Sequence, residues 1–595
     1  MVRVGWPDAE QDNQSALFLS HPPCYTSRNN DNVTGSLHLA AINLSAAPFN
    51  LDAAAIAWVE ETRDSLSPRD KLAQLFTLLS REGPGEALDA IRSFKPGGIT
   101  RIYTGDLNAE IGLMQQIDAA LPVPMLVSAD LEGSRMSLPF GTEVPNPLGL
   151  AAVDDVEATT SISTIMAEEA RAVGLNWSFT PVIDINKAWA SAIVGTRSYG
   201  ADVAKIERHA LAQIEAFQKN GVAATVKHWP GEGYDDRDQH LVTTVNPLTL
   251  DEWEKSFGRL YRAAIEAGVM SVMSAHIAFP AFVRELDPEA GAEAFRPATQ
   301  SAVLNQTLLR EKLGFNGLIV SDATPMAGFG DWGPREETIP QCVIAGCDVI
   351  LFSDDANADL MYLVKAVADG RLTQERVDEA VTRVLGLKAA LGLHKAERGA
   401  PSLDAAKSVL ERAESHRVAK SVSARVPTLV KDVQKLLPLS PDKHKRVLVF
   451  TTGAVQPFAP HPLPLSLPNM LWREGFEITE YSPGMDVSPK DYDLVLYLLA
   501  EETLLTRQRI FLNWKEMTGT VFGAMKRYWH DLPVLMVSLG YPYYLHDAPR
   551  VPTYVNAYGS NEDMQAAVVE ALMGRTPFAG QSPVDPFCGS EQAKY

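Results

Sequence analysis

From Leu51 onward the chain alternates short apolar runs with polar stretches whose apolar residues recur at helical spacing. The runs "GGITRIY" (97–103), "PMLVSAD" (124–130), "WSFTPVID" (177–184), "GVAATVKHW" (221–229), "GVMSVMSAH" (268–276), "GLIVSDA" (317–323) and "CDVILFS" (347–353) predict strands buried on both faces. Between them "IERHALAQIEAFQKN" (206–220) and "WEKSFGRLYRAAIEAG" (253–268) predict amphipathic helices that stop at Asn220 and Gly268. Strand and helix alternating over about 300 residues predict a parallel α/β architecture, and a closed (β/α)₈ TIM-like barrel fits that length. A doubly wound open sheet is the alternative, weakened because no GxGxxG follows the first run.

After "VTRVLGLKAALGLHK" (381–395) the pattern turns polar and helical to about Ser440. A second series of apolar runs follows: "RVLVFTTG" (446–453), "FEITEYS" (476–482), "YDLVLYLLA" (492–500) and "PVLMVSLG" (533–540). These predict a smaller αβα sandwich-like domain over 441–580, joined to a barrel over 51–395 by a helical linker over 396–440. Residues 1–50 read as a polar tail and 581–595 as a short C-terminal one. A chain of 595 residues is too long for one core in any case.

Composition narrows the partners. A net charge of −21 argues against nucleic acid or an anionic membrane surface. No run of about 18 apolar residues predicts a membrane span. The opening "MVRVGWPDAEQDNQSALFLSHPPC" carries acids and prolines early and predicts no signal peptide. Four cysteines are too few for a disulfide framework, so free thiols and a cytoplasmic setting are expected.

Barrels collect function at the C-terminal ends of their strands. Those ends carry Asp130 with Glu132 and Arg135, then Asp184, Lys227 with His228, His276, and Asp322. A single strand-end acid is often a helix N-cap, which suffices for Asp184 or Asp354. Several ends converging on one pocket are harder to explain that way. The loop "KHWPGEGYDDRDQH" (227–240) adds Asp238 and His240, with glycines free to take unusual backbone angles. Asp235, Asp236 and Arg237 read as surface charge. A metal set of His228, Glu232, Asp238 and His240 matches no standard ligand spacing. Asp322 could cap a helix, bind a metal or attack an electrophilic carbon.

The ordered set "WSFTPVIDIN", "GTRSYGAD", "TVKHWPGEGYDDRDQH", "MSAHIAFP", "GFNGLIVSDATPM" and "IAGCDVILF" resembles glycoside hydrolase family 3, especially its β-N-acetylglucosaminidase branch. The resemblance covers roughly 65–395 and extends more loosely to "YVNAYGSNEDMQAAVVEALMGRTPFAGQSPV". It implies that Asp322 is the nucleophile of a retaining mechanism and that Asp238 and His240 form an acid/base dyad. It further implies that Asp130, Arg197, Lys227 and His228 grip sugar hydroxyls, and that no metal or other cofactor is needed. Three positions depart from the family pattern: Glu232 stands at a usual histidine, Gln239 at the serine within the dyad, and "EGSRMSL" lacks the second arginine of "EGGRVQR". The expected activity is release of terminal β-linked GlcNAc from chito-oligosaccharides or peptidoglycan fragments. The alternatives are a phosphorylase of the same glycosides, a β-glucosidase or β-xylosidase, and a carbohydrate-binding protein on an inactive barrel.

Overall fold

Strand β1 (Phe76–Ser80) opens a parallel sheet that continues through β2 (Gly98–Arg101), β3 (Leu126–Ala129), β4 (Trp177–Ser178), β5 (Ala223–Trp229), β6 (Ser271–Ser274), β7 (Leu318–Ser321) and β8 (Ile350–Leu351). The computed structural model describes residues 42–81, 83–395, 401–455 and 461–595; residues 1–41, with Cys24 and most of the expected polar tail, lie outside them. The sheet runs in the order β8-β1-β2-β3-β4-β5-β6-β7. A parallel bridge between Val320 and Val349 then joins its two ends. Ser321 N–H donates to Val349 O at 2.9 Å and Leu351 N–H to Ser321 Oγ at 3.0 Å, so the sheet returns on itself as a barrel. An open doubly wound sheet has no such contact.

Every residue of β2, β3, β5, β6 and β7 is buried, as strands covered by helices outside and side chains inside must be. The barrel strand absent from the sequence reading is β1. Helix Pro68–Ala73 runs into "QLFTLLS" with only Gln74 and Leu75 between, so no turn residue separates the two periodicities. "WSFTPVID" forms only a two-residue strand, and its pairing with β5 resumes as a bridge between Val182 and Lys227. The amphipathic run 253–268 is two helices, Leu250–Lys255 and Phe257–Glu266, broken where Ser256 leaves helical geometry at ψ −95°. Leu44 and Phe49, within the span read as a polar tail, are buried against Gly386 of helix Gln374–Ala390.

A second sheet holds β9 (Thr428–Asp432), β10 (Arg446–Thr451), β11 (Glu477–Glu480), β12 (Leu494–Leu499), β13 (Val534–Ser538) and β14 (Thr553–Asn556), in the order β9-β14-β13-β12-β10-β11. All neighbours are parallel except β9, which pairs antiparallel with β14. Within 396–440 the described residues form helices Leu403–Leu410 and Ala413–Ser423 and then β9. Its half-exposed "TLVKD" has too few apolar residues to announce a strand.

The two sheets meet where barrel loop 186–200 reaches the second domain. Tyr541 hydroxyl donates to Trp189 O at 2.5 Å, Leu504 N–H donates to Ala192 O at 3.2 Å, and Ser191 bridges Arg509. Among the described residues no helix is long and apolar enough to cross a membrane. Cys342, Cys347 and Cys588 are free thiols.

Candidate active site

The charged residues at the strand ends form one floor. After β3, Glu132 takes a two-pronged hydrogen bond from Arg197, Nε to Oε2 at 2.8 Å and Nη2 to Oε1 at 2.9 Å. The Lys227 ammonium, on β5, lies 2.8 Å from the same carboxylate and donates to Asp130 Oδ1 at 2.7 Å. Burial opposes charge on Glu132, but Arg197 and Lys227 outweigh it and hold its pKa down at about 2. Burial likewise opposes the Lys227 charge, yet Asp130 and Glu132 raise its pKa overall. The floor is therefore ionised, with donors and acceptors fixed before any sugar arrives.

Beside it stands His228, whose peptide bond with Lys227 is cis. Its Nδ1 donates to Asp184 Oδ2 at 2.6 Å, and Nε2 lies 3.5 Å from Arg197 Nη2. Asp184 Oδ1 also accepts the backbone N–H groups of His228 and Glu232, each at 3.0 Å. Asp184 is thus no helix cap. It pins the start of the 227–240 loop and orients the imidazole. Its sequence context carried that signal, since "INKAWAS" after it has no helical pattern.

Asp322 follows β7, with its N–H bound to Ser274 O at 2.7 Å and its Oδ1 accepting Ala323 N–H at 2.7 Å. Burial works against its charge, but the imidazoles of His228, His276 and His240 outweigh burial and lower its pKa. Across the cavity, His240 Nδ1 meets Asp238 Oδ1 at 2.7 Å, and the same oxygen accepts His240 N–H at 2.8 Å. Asp238 is buried while His240 is part exposed. Burial raises and the His240 contacts lower the Asp238 pKa, the net shift being downward.

Loop 227–240 can present these groups only because of its glycines. Gly233, at φ +110°, lies so close to Ile185 that a Cβ would stand 2.1 Å from the Ile185 carbonyl oxygen. Gly233 O in turn accepts the N–H groups of Lys187 and Ala188. Asp235 is a staple rather than surface charge: it accepts from Arg237 and from Val245 N–H at 3.0 Å. Trp229 packs beneath the loop, edge-on to Trp253 and Tyr261.

Two of the three departures from the family pattern touch each other. Gln239 Nε2 donates to Glu232 Oε2 at 3.1 Å, and Gln239 Oε1 accepts His276 N–H at 3.0 Å. Glu232 Oε1 is buried without a partner among the described residues. Burial first, and the Asp184 charge second, push the Glu232 pKa well up. Glu232 lies near Asp184 and His228, but Asp184 already receives three N–H donors. The set of His228, Glu232, Asp238 and His240 is not brought together as one cluster. His276 is a brace, between Thr299 Oγ1 at 3.1 Å and Ala323 O at 3.0 Å.

Asp130, Arg197, Lys227, His228, His240 and Asp322 line one cavity of about 620 Å³, within the range of small-ligand sites. Part of its wall belongs to the second domain, through Ala500, Glu502, Thr503, Leu505 and Ser560. Buried Glu502 accepts from Ser134 Oγ at 2.9 Å and from Ser560 N–H at 2.9 Å, and Arg135 donates to Ser560 Oγ at 2.8 Å. Arg135 therefore ties barrel to second domain. No sequence motif pointed to this wall.

The fold and cavity define a (β/α)₈-barrel enzyme with its charged site at the C-terminal strand ends. The glycosyl hydrolase family 3 N terminal domain matches residues 70–387, more than half of the 595 residues. The chain belongs to glycoside hydrolase family 3. It is 38% identical over 575 residues to a Cellulomonas fimi protein named beta-N-acetylglucosaminidase/beta-glucosidase, covering 92% of this chain and 99% of that one. A solved structure described as beta-glucoside phosphorylase BglX matches at TM-score 0.86 and 36% identity, over 92% of this chain and 99% of that one. A family 3 beta-N-acetylglucosaminidase from a Paenibacillus strain matches at TM-score 0.75 and 25% identity, over 88% and 100%.

Proposed function

We propose that this enzyme is a retaining exo-β-glycosidase that releases terminal β-linked GlcNAc by double displacement. The observation that carries the proposal is the pairing, in one cavity, of an ionised carboxylate at Asp322 with an imidazole at His240 backed by buried Asp238. In the first step Asp322 forms a bond to the anomeric carbon as the glycosidic C–O bond breaks, and His240 Nε2 gives its proton to the leaving oxygen. In the second, His240 takes a proton from water, which displaces Asp322 and restores the starting configuration. Asp238 holds Nδ1–H throughout, so that Nε2 carries the exchangeable proton. Asp130, Arg197, Lys227 and His228 bind the sugar hydroxyls.

Two specific observations favour a second reading, transfer to inorganic phosphate and wider acceptance of glucosides. One is the full-length similarity to proteins named for glucosides and for phosphorolysis. The other is the base itself, since a neutral imidazole repels an incoming anion less than a carboxylate does. A panel of p-nitrophenyl glycosides, assayed with and without phosphate, separates the readings. The GlcNAc glycoside should exceed the glucoside by at least about tenfold in kcat/KM, the scale of one good contact. Free sugar should be the main product, with some sugar 1-phosphate. Equal or reversed specificity would overturn the GlcNAc assignment, and dominant sugar 1-phosphate at millimolar phosphate would make the enzyme a phosphorylase.

A further inference from the structure

We infer that the second domain supplies a positioning group for the acid/base pair, the backbone N–H of Thr506. The inference rests on the dyad role of Asp238 and His240 proposed above. Asp238 Oδ1 receives both of its donors from His240, two residues along the same loop. Those bonds hold the carboxylate to the imidazole but do not by themselves set the direction in which the pair faces. Asp238 Oδ2 accepts one donor among the described residues, Thr506 N–H at 2.8 Å, from 268 residues away in sequence. That bond fixes the carboxylate plane from outside, and through it the imidazole.

The donor is itself held. Thr506 follows β12 on a segment tied to the barrel at Leu504 N–H to Ala192 O, at Glu502 to Ser134, and at the Ser191–Arg509 bridge. Thr506 sits in the left-handed region, at φ +62°, with its N–H on Asp238. The side chain takes no part, because Thr506 Oγ1 donates to Leu505 O and the residue is exposed. What matters is therefore the amide and the left-handed backbone, both of which glycine supplies and proline cannot. Without the amide, Asp238 gains a rotation and the proton on His240 is less well aimed at the leaving oxygen. The barrel's acid/base step then depends on a loop of the other domain.

The test compares Thr506→Pro, Thr506→Gly and His240→Ala in the full-length enzyme, using aryl glycosides of graded leaving-group acidity, a natural disaccharide, and azide as a nucleophile that needs no base. Thr506→Pro should lose about tenfold or more beyond its loss on the dinitrophenyl glycoside when given the disaccharide, the scale of one bond to a charged group. Azide should restore part of its turnover with the activated glycoside. Thr506→Gly, which keeps the N–H, should abolish that split. An equal loss by Thr506→Pro on all substrates, or the same split in Thr506→Gly, overturns the inference. If His240→Ala itself shows no split, the dyad reading fails instead. Should Thr506→Pro not fold, amide exchange decides: segment 503–508 should exchange faster in Asp238→Ala than in wild type, and equal rates overturn the inference.

Discussion

Glu232 shows how one atom's surroundings set a protonation state. Its carboxyl is buried, one oxygen has no partner among the described residues, and Asp184 lies nearby, so the neutral form is favoured. In the unfolded chain the same group ionises above about pH 4.5. Between that value and its raised folded value, the folded state holds a proton that the unfolded state has released, so stability falls as pH rises. Glu232→Gln keeps the shape and an acceptor for Gln239 but cannot ionise. Its Tm should therefore gain on wild type progressively as pH rises above about 4.5. A gap that stays constant over that range contradicts a neutral Glu232. The same scale shows what the sequence made legible. Motif order singled out Asp322, Asp130, Lys227 and His228 at strand ends, Arg197 on loop 186–200, and Asp238 and His240 on the 227–240 loop, and all but Asp238 line the one cavity. The clasping of Asp184 to His228 and of Glu232 to Gln239 depends on backbone curvature that no spacing reveals.

At the scale of elements, the 227–240 loop works as a rigid bracket rather than a flexible flap. Its entry is fixed by Asp184, its middle by Gly233 against Ile185, and its far side by Asp235 on Val245. Gly233→Ala would combine an unfavourable positive φ with a Cβ pressed onto the Ile185 carbonyl oxygen. Unfolding in urea should show a loss of about 2–4 kcal/mol, with activity on natural substrates falling at the same time. A variant as stable and active as wild type would mean the loop is not built as described. β5 and β7, buried along their whole length, were plain in the sequence as short apolar runs ending in polar residues, whereas the equally buried four-residue β14 was not read as a strand. β1 was masked by the helix that runs into it, and β9 by an inverted pattern, with Leu429 exposed and Lys431 buried on the carbonyls of Pro549 and Ala593. Periodicity reports burial, so it misses elements whose burial is one-sided or whose boundaries carry no turn residue.

The molecule as a whole makes one cavity from two domains. The barrel supplies the charged floor, Asp322 and the Asp238–His240 pair; the second domain supplies part of the wall, at Glu502, Leu505 and Ser560, and the amide that reaches Asp238. This division explains why motif analysis of the barrel alone singled out residues of the floor but not the cavity's enclosure: the contacts join residues hundreds of positions apart. The most direct test of the central claim is rapid mixing of His240→Ala with an activated aryl glycoside. A nitrophenolate leaves without a proton, so glycosylation of Asp322 should survive while activation of water is lost. A burst of about one nitrophenol per enzyme should appear, followed by slow turnover, and the burst should vanish when Asp322→Ala is added. A His240→Ala enzyme that shows no burst, or a burst that persists without Asp322, would contradict the assignment of these two residues.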